Sequence, residues 1–475
     1  MSTAMLFTML LCFALSISVA VSIGLSSVFG VQLSGLPQLV TVKEIFSSIN
    51  RFPLAAIPFF ILAGNLMETG GISRRLVEFA RSIVGGVQGG LPMTCVLTCM
   101  IFAAVSGSSV ATTFAIGAIL IPALIKRGYP VAYAAALQAT SAELGVIIPP
   151  SIPMILYGVS AEVSIGELFI AGFGPGLLIG VALMLWVFIT CKRNGWGKTD
   201  GDGRLPIVIA AIDIAFIVGF VATVMIVKRV VSHPTAHLVA PLIYLTVFMI
   251  VPRLRRTVIT HAALALLMPV IILGGIYGGI FTPTEASVVA VFYALIVGVV
   301  VFRETRIVDI GAVLKKSVIS SSVIMFIIAN AGLFSYLITR AGVPDLIGAY
   351  LKETLQTPGL FLLGVNAALF IIGMFIETSA SIIVLAPILA PVAAQFGIDP
   401  VHFGTIMVVN LALGMITPPF GVNLFAACTV AKISLDRIVT RLVPFVLVVL
   451  GCLMLITYVP PISLALRDLV YHTGK

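Results

Sequence analysis

The stretch "GVIIPPS" at Gly145–Ser151 places two adjacent prolines inside an apolar run long enough for a helix, and "GMITPPF" at Gly414–Phe420 does the same again. Proline donates no N–H, and its ring clashes with the carbonyl one turn back, so an interior proline kinks or breaks an α-helix at a cost of about 3 kcal/mol. Away from water the freed carbonyls need a partner within the protein. A break written twice, 269 residues apart, reads as a site rather than a defect.

The composition identifies the solvent as lipid. Hydrophobic residues make up 60% of the 475 and charged residues 9%, against about 45–50% and 25% in soluble domains. Mean hydropathy is +1.21. Apolar runs recur at Met5–Ile23, Pro53–Met67, Leu168–Ile189, Leu205–Val227, Ala262–Phe281, Ala286–Val301, Val318–Leu337 and Leu442–Val459. At about 20 residues per crossing the chain is expected to cross on the order of a dozen times as a polytopic all-α membrane protein. No basic residue precedes Lys43, so the first apolar run is expected to be a retained span and not a signal peptide. The net charge of +9 sits in short clusters between runs, as in "RRLVEFAR", "CKRNGWGK" and "RLRR". That is the pattern of cytoplasmic loops and argues against a nucleic-acid partner.

Repetition organises the rest. "GYPVAYAAALQATSAELGVIIPP" (Gly128–Pro150) and "GIDPVHFGTIMVVNLALGMITPP" (Gly397–Pro419) align through the opening Gly, the Gly four residues before the first proline, and both prolines. Each is preceded by a small polar knot between apolar arms. In the first half Leu91–Val105 and Val110–Ile125 flank "SGSS"; in the second the knot is Glu377–Ser381. Arms of this length are short for a full crossing and read as re-entrant hairpins. The first hairpin base carries Arg74, Arg75, Arg81, Lys126 and Arg127, whereas the second has no Lys or Arg in "QTPG" or "QFGIDPVH". The positive-inside rule then opens one hairpin to the cytoplasm and the other outward, making the halves inverted repeats.

The resulting partition gives N-terminal scaffold spans and an amphipathic arm to 1–90, and the first hairpin and broken helix to 91–160. A scaffold span follows at 161–190, then an insertion with one or two extra apolar spans at 191–257. Second-half scaffold spans occupy 258–357, the second hairpin and broken helix 358–430, and a C-terminal span 431–475.

Unwound backbone offers carbonyl oxygens, and the tips add hydroxyls from Ser106, Ser108, Ser109, Thr378, Ser379 and Ser381. Neutral hard oxygens suit Na⁺ over a transition metal, and helix N-termini at the tips favour an anionic solute group. Two Na⁺ sites with a carboxylate-bearing solute between them are therefore expected. Glu377 is expected either to ligate Na⁺ or to face the solute path, and Glu143 to orient the first break. Glu285, at the Pro-marked break "FTPTEAS", is read as a helix cap or an ion-linked acid. His402 is expected to face solvent. Cys95 and Cys99, with no third ligand nearby, read as small packing residues rather than a metal pair. The serine knot lacks a general base, and no phosphate loop is present, so an enzyme is not expected.

The motifs "SGSSVATTFAIGAILIPALIKRGY", "LGVIIPPSIPMILYG", "GGIFTPTEAS" and "GIDPVHFGTIMVVNLALGMITPPFGVNLF" resemble those of the large membrane subunit of tripartite ATP-independent periplasmic (TRAP) transporters. "PFFILAGNLMETGGIS" and "ANAGLFSYLITRAGVPDLIGAYL" resemble its other landmarks, leaving only the stretch from Lys192 to Arg256 unmatched. The resemblance implies an elevator-type Na⁺ symporter in a bacterial inner membrane. It also implies a small four-helix membrane subunit and a periplasmic substrate-binding protein as partners. Carried over by position, Na⁺ ligands fall at Ser106, Ser108, Gly145, Ile148 and Pro149, and at Thr378, Ser379, Gly414, Thr417 and Pro418. The solute site takes Ser108, Ser109, Pro150, Ser151, Glu377, Ser381, Pro419 and Asn423. The expected cargo is a small organic anion such as a dicarboxylate or sugar acid. The alternatives are a stand-alone Na⁺/anion symporter of similar architecture and, less favoured, a channel.

Overall fold

A computed structural model of the chain describes residues 2–198, 211, 214–223, 262–355 and 357–471. Among these the regular elements are all helical. Seven helices are long and apolar enough to cross a bilayer, or up to nine if each sharply bent helix pair is one span. The expected dozen is not reached among the described residues, because several apolar runs serve as hairpin arms or half-helices of 10–17 residues. Of the insertion, Ile214–Thr223 is helical, with Phe216 and Phe220 buried. Asp213 and the apolar run at 237–252 lie outside the described residues.

One group of helices is built from both halves. Pro283–Leu295 packs along Ala56–Thr69, and Ile307–Arg340 packs on Val19–Leu33, Leu39–Ile49 and Ala56–Thr69. Asn65 donates to Ser317 Oγ at 2.9 Å, and Lys316 pairs with Glu68 at 2.9 Å. Arg75 pairs with Glu304 at 2.8 Å while stacking over Phe302 at 3.7 Å. Thr282 and Glu285 close the N-terminus of Pro283–Leu295 as a reciprocal capping box, which satisfies two backbone donors at once.

The second group contains the hairpins. The first pairs Gly90–Ser106 with Ser109–Lys126, and the second pairs Pro358–Gly373 with Thr378–Gln395. At 1.5 Å per residue these arms are about 24–27 Å long, a little under a hydrocarbon core of about 30 Å, and the two 18-residue arms are counted among the seven helices above. The first broken helix runs as Val131–Ala142 and Leu144–Ile147, then resumes as Ile152–Ser160 after a 42° bend. The second runs as Pro400–Met415 and resumes as Val422–Ala431. Both Pro149–Pro150 and Pro418–Pro419 bonds are cis.

The packing of the broken helices is reciprocal. Each leading half lies on its own hairpin, and each trailing half crosses to the other. Ile152–Ser160 packs on the second hairpin's arm Thr378–Gln395, and Val422–Ala431 packs on the first hairpin's arm Ser109–Lys126. Ile165–Asn194, which the sequence reading groups with the scaffold, packs against Gly90–Ser106, Pro400–Met415 and Leu435–Tyr458.

The C-terminal span Leu435–Tyr458 is followed by a further helix, Pro461–Tyr471, laid back on Ile165–Asn194. This corrects the expectation for His402, which is only 3% exposed. Its Nδ1 shares a 2.7 Å hydrogen bond with Ser463 Oγ, and its Nε2 lies 3.3 Å from the Thr457 carbonyl. The helix that covers it begins at the second proline of "PP" at 460–461, a turn that the sequence reading passes over within the C-terminal span 431–475.

Candidate functional site

At the first break the missing proline donors have definite consequences. Pro149 leaves the Gly145 carbonyl without its helical donor, and Pro150 leaves that of Val146. The second is recovered by Ser151, whose hydroxyl donates to Val146 O at 2.5 Å and accepts from Met154 N at 3.3 Å. Ser151 is fully buried, so it staples the break and caps the resumed helix.

The tip of the first hairpin sits directly on this break. Gly107 turns with φ 62°, a conformation glycine adopts without steric cost, and its carbonyl accepts from Ile152 N at 3.4 Å. Ser108 caps the second arm, accepting from Ala111 N at 3.4 Å. Thr112 donates to Ser108 O at 2.8 Å, and the Ser106 hydroxyl, 2.9 Å from Thr112 Oγ1 and 3.3 Å from Ser108 O, has one proton to give to either. A Cβ at Gly145 would stand 2.8 Å from Thr112 Oγ1 and 2.9 Å from Ser108 O. Only a residue without a side chain fits against that oxygen cluster. Ser106, Ser108, Gly145, Pro149 and Pro150 are thus brought together, with Ile148 beside them in the extended segment that follows. Thr112 joins them unannounced, although its i+4 spacing from Ser108 was a signal that it lies on the same helix face.

The second tip meets its break through backbone. A Cβ on Gly414 would collide with the Gly373 carbonyl carbon and lie 2.5 Å from Gly373 Cα. Gly421 N donates to Met374 O at 3.4 Å. Glu377 caps the second arm, accepting from Ala380 N at 3.1 Å and from the Ser379 hydroxyl at 2.8 Å. Thr378 Oγ1 donates to the Met415 thioether at 2.9 Å. Thr417 satisfies the leading helix end, its N donating to Gly414 O at 2.9 Å and its hydroxyl to Leu413 O at 2.8 Å. Pro418 and Pro419 lie at the wetter edge of the break, Pro419 exposed. Gly373, placed four residues before Glu377, was missed by sequence reasoning.

Between the tips a polar bridge joins the halves. Asn423 donates from Nδ2 to Glu143, and its Oδ1 accepts from Thr113 at 3.4 Å. Thr113 in turn bonds Ser109 O at 3.0 Å. Glu143 is 3% exposed, and its second carboxyl oxygen is buried without a hydrogen-bond partner among the described residues, as is the Ser381 hydroxyl. Buried polar atoms left in this state are unusual and mark places where a ligand has something to satisfy. Glu285 stands apart from both tips, held in its capping box.

Cys95 donates to Gln138 Oε1 at 3.1 Å, and Gln138 Nε2 donates to Cys99 Sγ at 3.6 Å. No group of three metal-binding side chains occurs among the described residues. The donors at the breaks are carbonyls and hydroxyls, the set that suits a hard cation.

Comparison with known proteins agrees with this architecture. A family model described as "Tripartite ATP-independent periplasmic transporter, DctM component" matches residues 6–462. The C4-dicarboxylate TRAP transporter large permease protein DctM of Pseudomonas aeruginosa is 39% identical over 448 residues, covering 94% of both chains. The isethionate TRAP transporter permease protein DctMQ of Oleidesulfovibrio alaskensis is 38% identical over 449 residues, covering 94% of this chain and 63% of that longer one. Among solved structures, the Alcanivorax borkumensis YdaH transporter superposes with a TM-score of 0.61 at 13% identity, over 90% of this chain and 88% of that one, a likeness of fold alone. With a family match over nearly its whole length and a relative at 39% identity, the chain belongs to the DctM family, the large permease subunits of TRAP transporters, and is a multi-pass bacterial inner-membrane transporter rather than an enzyme.

Proposed function

We propose that this permease imports a small organic anion, a dicarboxylate or sugar acid, together with Na⁺. TRAP large permeases in general work with a small membrane subunit and a soluble substrate-binding protein. We assign both kinds of partner to this chain, and the longer relative named DctMQ supports the first. The observation that carries the reading is the oxygen cluster of Ser106, Ser108 and Thr112 set against Gly145. A helix break with neutral oxygens on one side and a side-chain-free backbone on the other brings several hard oxygen ligands close together without a competing cationic side chain among them.

On this reading Na⁺ is a co-transported substrate taken at both hairpin–break pairs. Gly145 O lacks its helical donor, and the Ser and Thr hydroxyls can rotate their protons away to present lone pairs. Arm N-termini at Ser109 and Thr378 add positive dipole ends facing the space between the tips. A carboxylate there would meet Asn423, Ser381 and the tip backbone, so ion and anion neutralise one another in a dry site. Reciprocal packing makes both hairpins and both broken helices one body, which supports an elevator movement of that body against the helices built around Ala56–Thr69.

The test is uptake into proteoliposomes holding the permease with a small subunit and a binding protein, varying Na⁺ against K⁺ with several labelled acids. Ser108→Ala and Thr378→Ala should raise the Na⁺ concentration for half-maximal uptake. Flux that follows only the solute's own gradient, with no response to Na⁺, would identify a channel instead. Uptake unaffected by leaving out the binding protein would favour a stand-alone symporter.

A further inference from the structure

The loops at the base of the first hairpin hold a second, unrelated site. A cavity of about 400 Å³ is lined by Arg81, Gly85, Leu91, Ala123, Lys126 and Arg127. Three cations from two helix ends and the turn after them line one space, and among the described residues no acidic side chain lines it. The nearest acid along the chain, Glu78, lies beside Arg74 at 4.0 Å. Among the described residues neither Arg81 nor Lys126 forms an ion pair. Cations in a last helical turn complement the helix dipole individually, but that does not account for three of them converging on a cleft. The rest of the lining is apolar, Gly85, Leu91 and Ala123, and the same segments expose Ile83, Val87 and Ile125 at 43%, 45% and 36%. Basic cleft and apolar rim together match an amphiphile with an anionic head.

We infer that this cleft binds the phosphate of an anionic phospholipid, with Arg81, Lys126 and Arg127 around the headgroup and the apolar rim against its acyl chains. The membrane supplies this ligand at the depth where the hairpin arms end, and basic pockets at helix ends select anionic over zwitterionic heads. Placement gives the lipid a task. Helix Ile72–Val84 is tied by Arg75 to Glu304 and Phe302 at one end and packs along Gly90–Ser106. A phosphate shared between Arg81 and the Lys126–Arg127 pair fastens that connecting helix to the base of the first hairpin.

The experiment is thermal unfolding of the full-length chain in neutral detergent, with phosphatidylglycerol, phosphatidylcholine or inorganic phosphate added. Phosphatidylglycerol should raise Tm by roughly 2–4 °C, and the other two should not. The triple variant Arg81→Gln, Lys126→Gln, Arg127→Gln should lose the response. Lys43→Gln with Lys352→Gln, exposed cations outside the cleft lining on helices Leu39–Ile49 and Val343–Leu355, should keep it. If the triple variant does not fold, Lys126→Gln alone decides, with an expected loss of about half the shift. The inference is overturned if phosphatidylcholine or phosphate alone gives the same rise, if the cleft variants respond like wild type, or if the distant pair removes the effect.

Discussion

The first hairpin rests on its break through two hydroxyls and a carbonyl, Ser106 Oγ, Thr112 Oγ1 and Ser108 O gathered within 3.3 Å of one another. The second rests on its break through two glycine backbones, Gly373 and Gly414, with a carboxylate cap at Glu377. Two copies of one architecture have therefore kept the topology and exchanged the contacts. The first break is short and stapled by Ser151, whereas the second spreads from Ile416 to Gly421; each closes on one carbonyl of its hairpin tip, Gly107 O and Met374 O. Duplicated elements need preserve only what the backbone requires, which is a break, a tip and room between them. The chemistry lining that room is free to diverge.

The contrast predicts unequal sensitivity. The largest effect is expected at Gly414→Ala, because the added methyl meets only the Gly373 backbone, which has no side chain to move aside. Overpacking of this kind costs about 1–3 kcal/mol, and Na⁺-driven uptake should fall at least about tenfold. Gly145→Ala meets a hydroxyl that can rotate as well as a carbonyl, so its loss should be smaller. Equal losses in the two variants would erase the distinction drawn between the breaks.

Next come the residues that join the halves. Asn423→Ala strips Glu143 of its donor and leaves a buried carboxyl unsatisfied, a cost of about 1–3 kcal/mol. A lowered Tm in detergent is the expected readout. Thr113→Val should cost less, since it removes only one 3.4 Å bond. A Thr113 variant less stable than the Asn423 variant would contradict the bridge as described.

Smaller still is Thr112→Val, which keeps shape but removes the hydroxyl bonded to Ser106 and Ser108 O. It should raise the half-maximal Na⁺ concentration by roughly three- to tenfold, in line with one lost polar contact of about 1 kcal/mol. The matching change Thr378→Val, where the hydroxyl faces a thioether, should shift it less. The reverse order would place the tighter ion site in the second half.

The least effect concerns pH. Burial pushes the Asp399 carboxyl up, but the Arg467 guanidinium at 2.7 Å and the N–H groups of His402 and Val401 outweigh it and hold the group below its ordinary value. A depressed folded pKa contributes stability above the unfolded value of about 4, and that stability is lost as pH falls through the folded pKa. Melting curves should show a modest acid-side drop that Asp399→Asn abolishes. The variant keeping the full drop would assign it to another carboxylate.

Much of this was legible beforehand because it is written in backbone chemistry. Proline pairs, glycines four residues ahead of them, and polar knots between apolar arms constrain the main chain directly, so both breaks and both hairpins could be located by number. What could not be read depends on which helices become neighbours. Thr112 and Gly373 acquire their roles only when a tip lands on a break, and His402 is buried only because Pro461–Tyr471 folds back over it. Ser151 looked available to a solute but spends its hydroxyl repairing the break beside it. A period in sequence tells which face of a helix is apolar. It does not tell which other helix that face will find.

The trading of trailing half-helices between the repeats bears on how the protein can be dissected. A fragment ending before the second repeat would expose the groove meant for Val422–Ala431 and leave Ile152–Ser160 without Thr378–Gln395, the helix it packs against most. Neither piece is an autonomous module. Cut between them, the molecule could be rebuilt only by complementation, with two separately translated pieces meeting in the same bilayer.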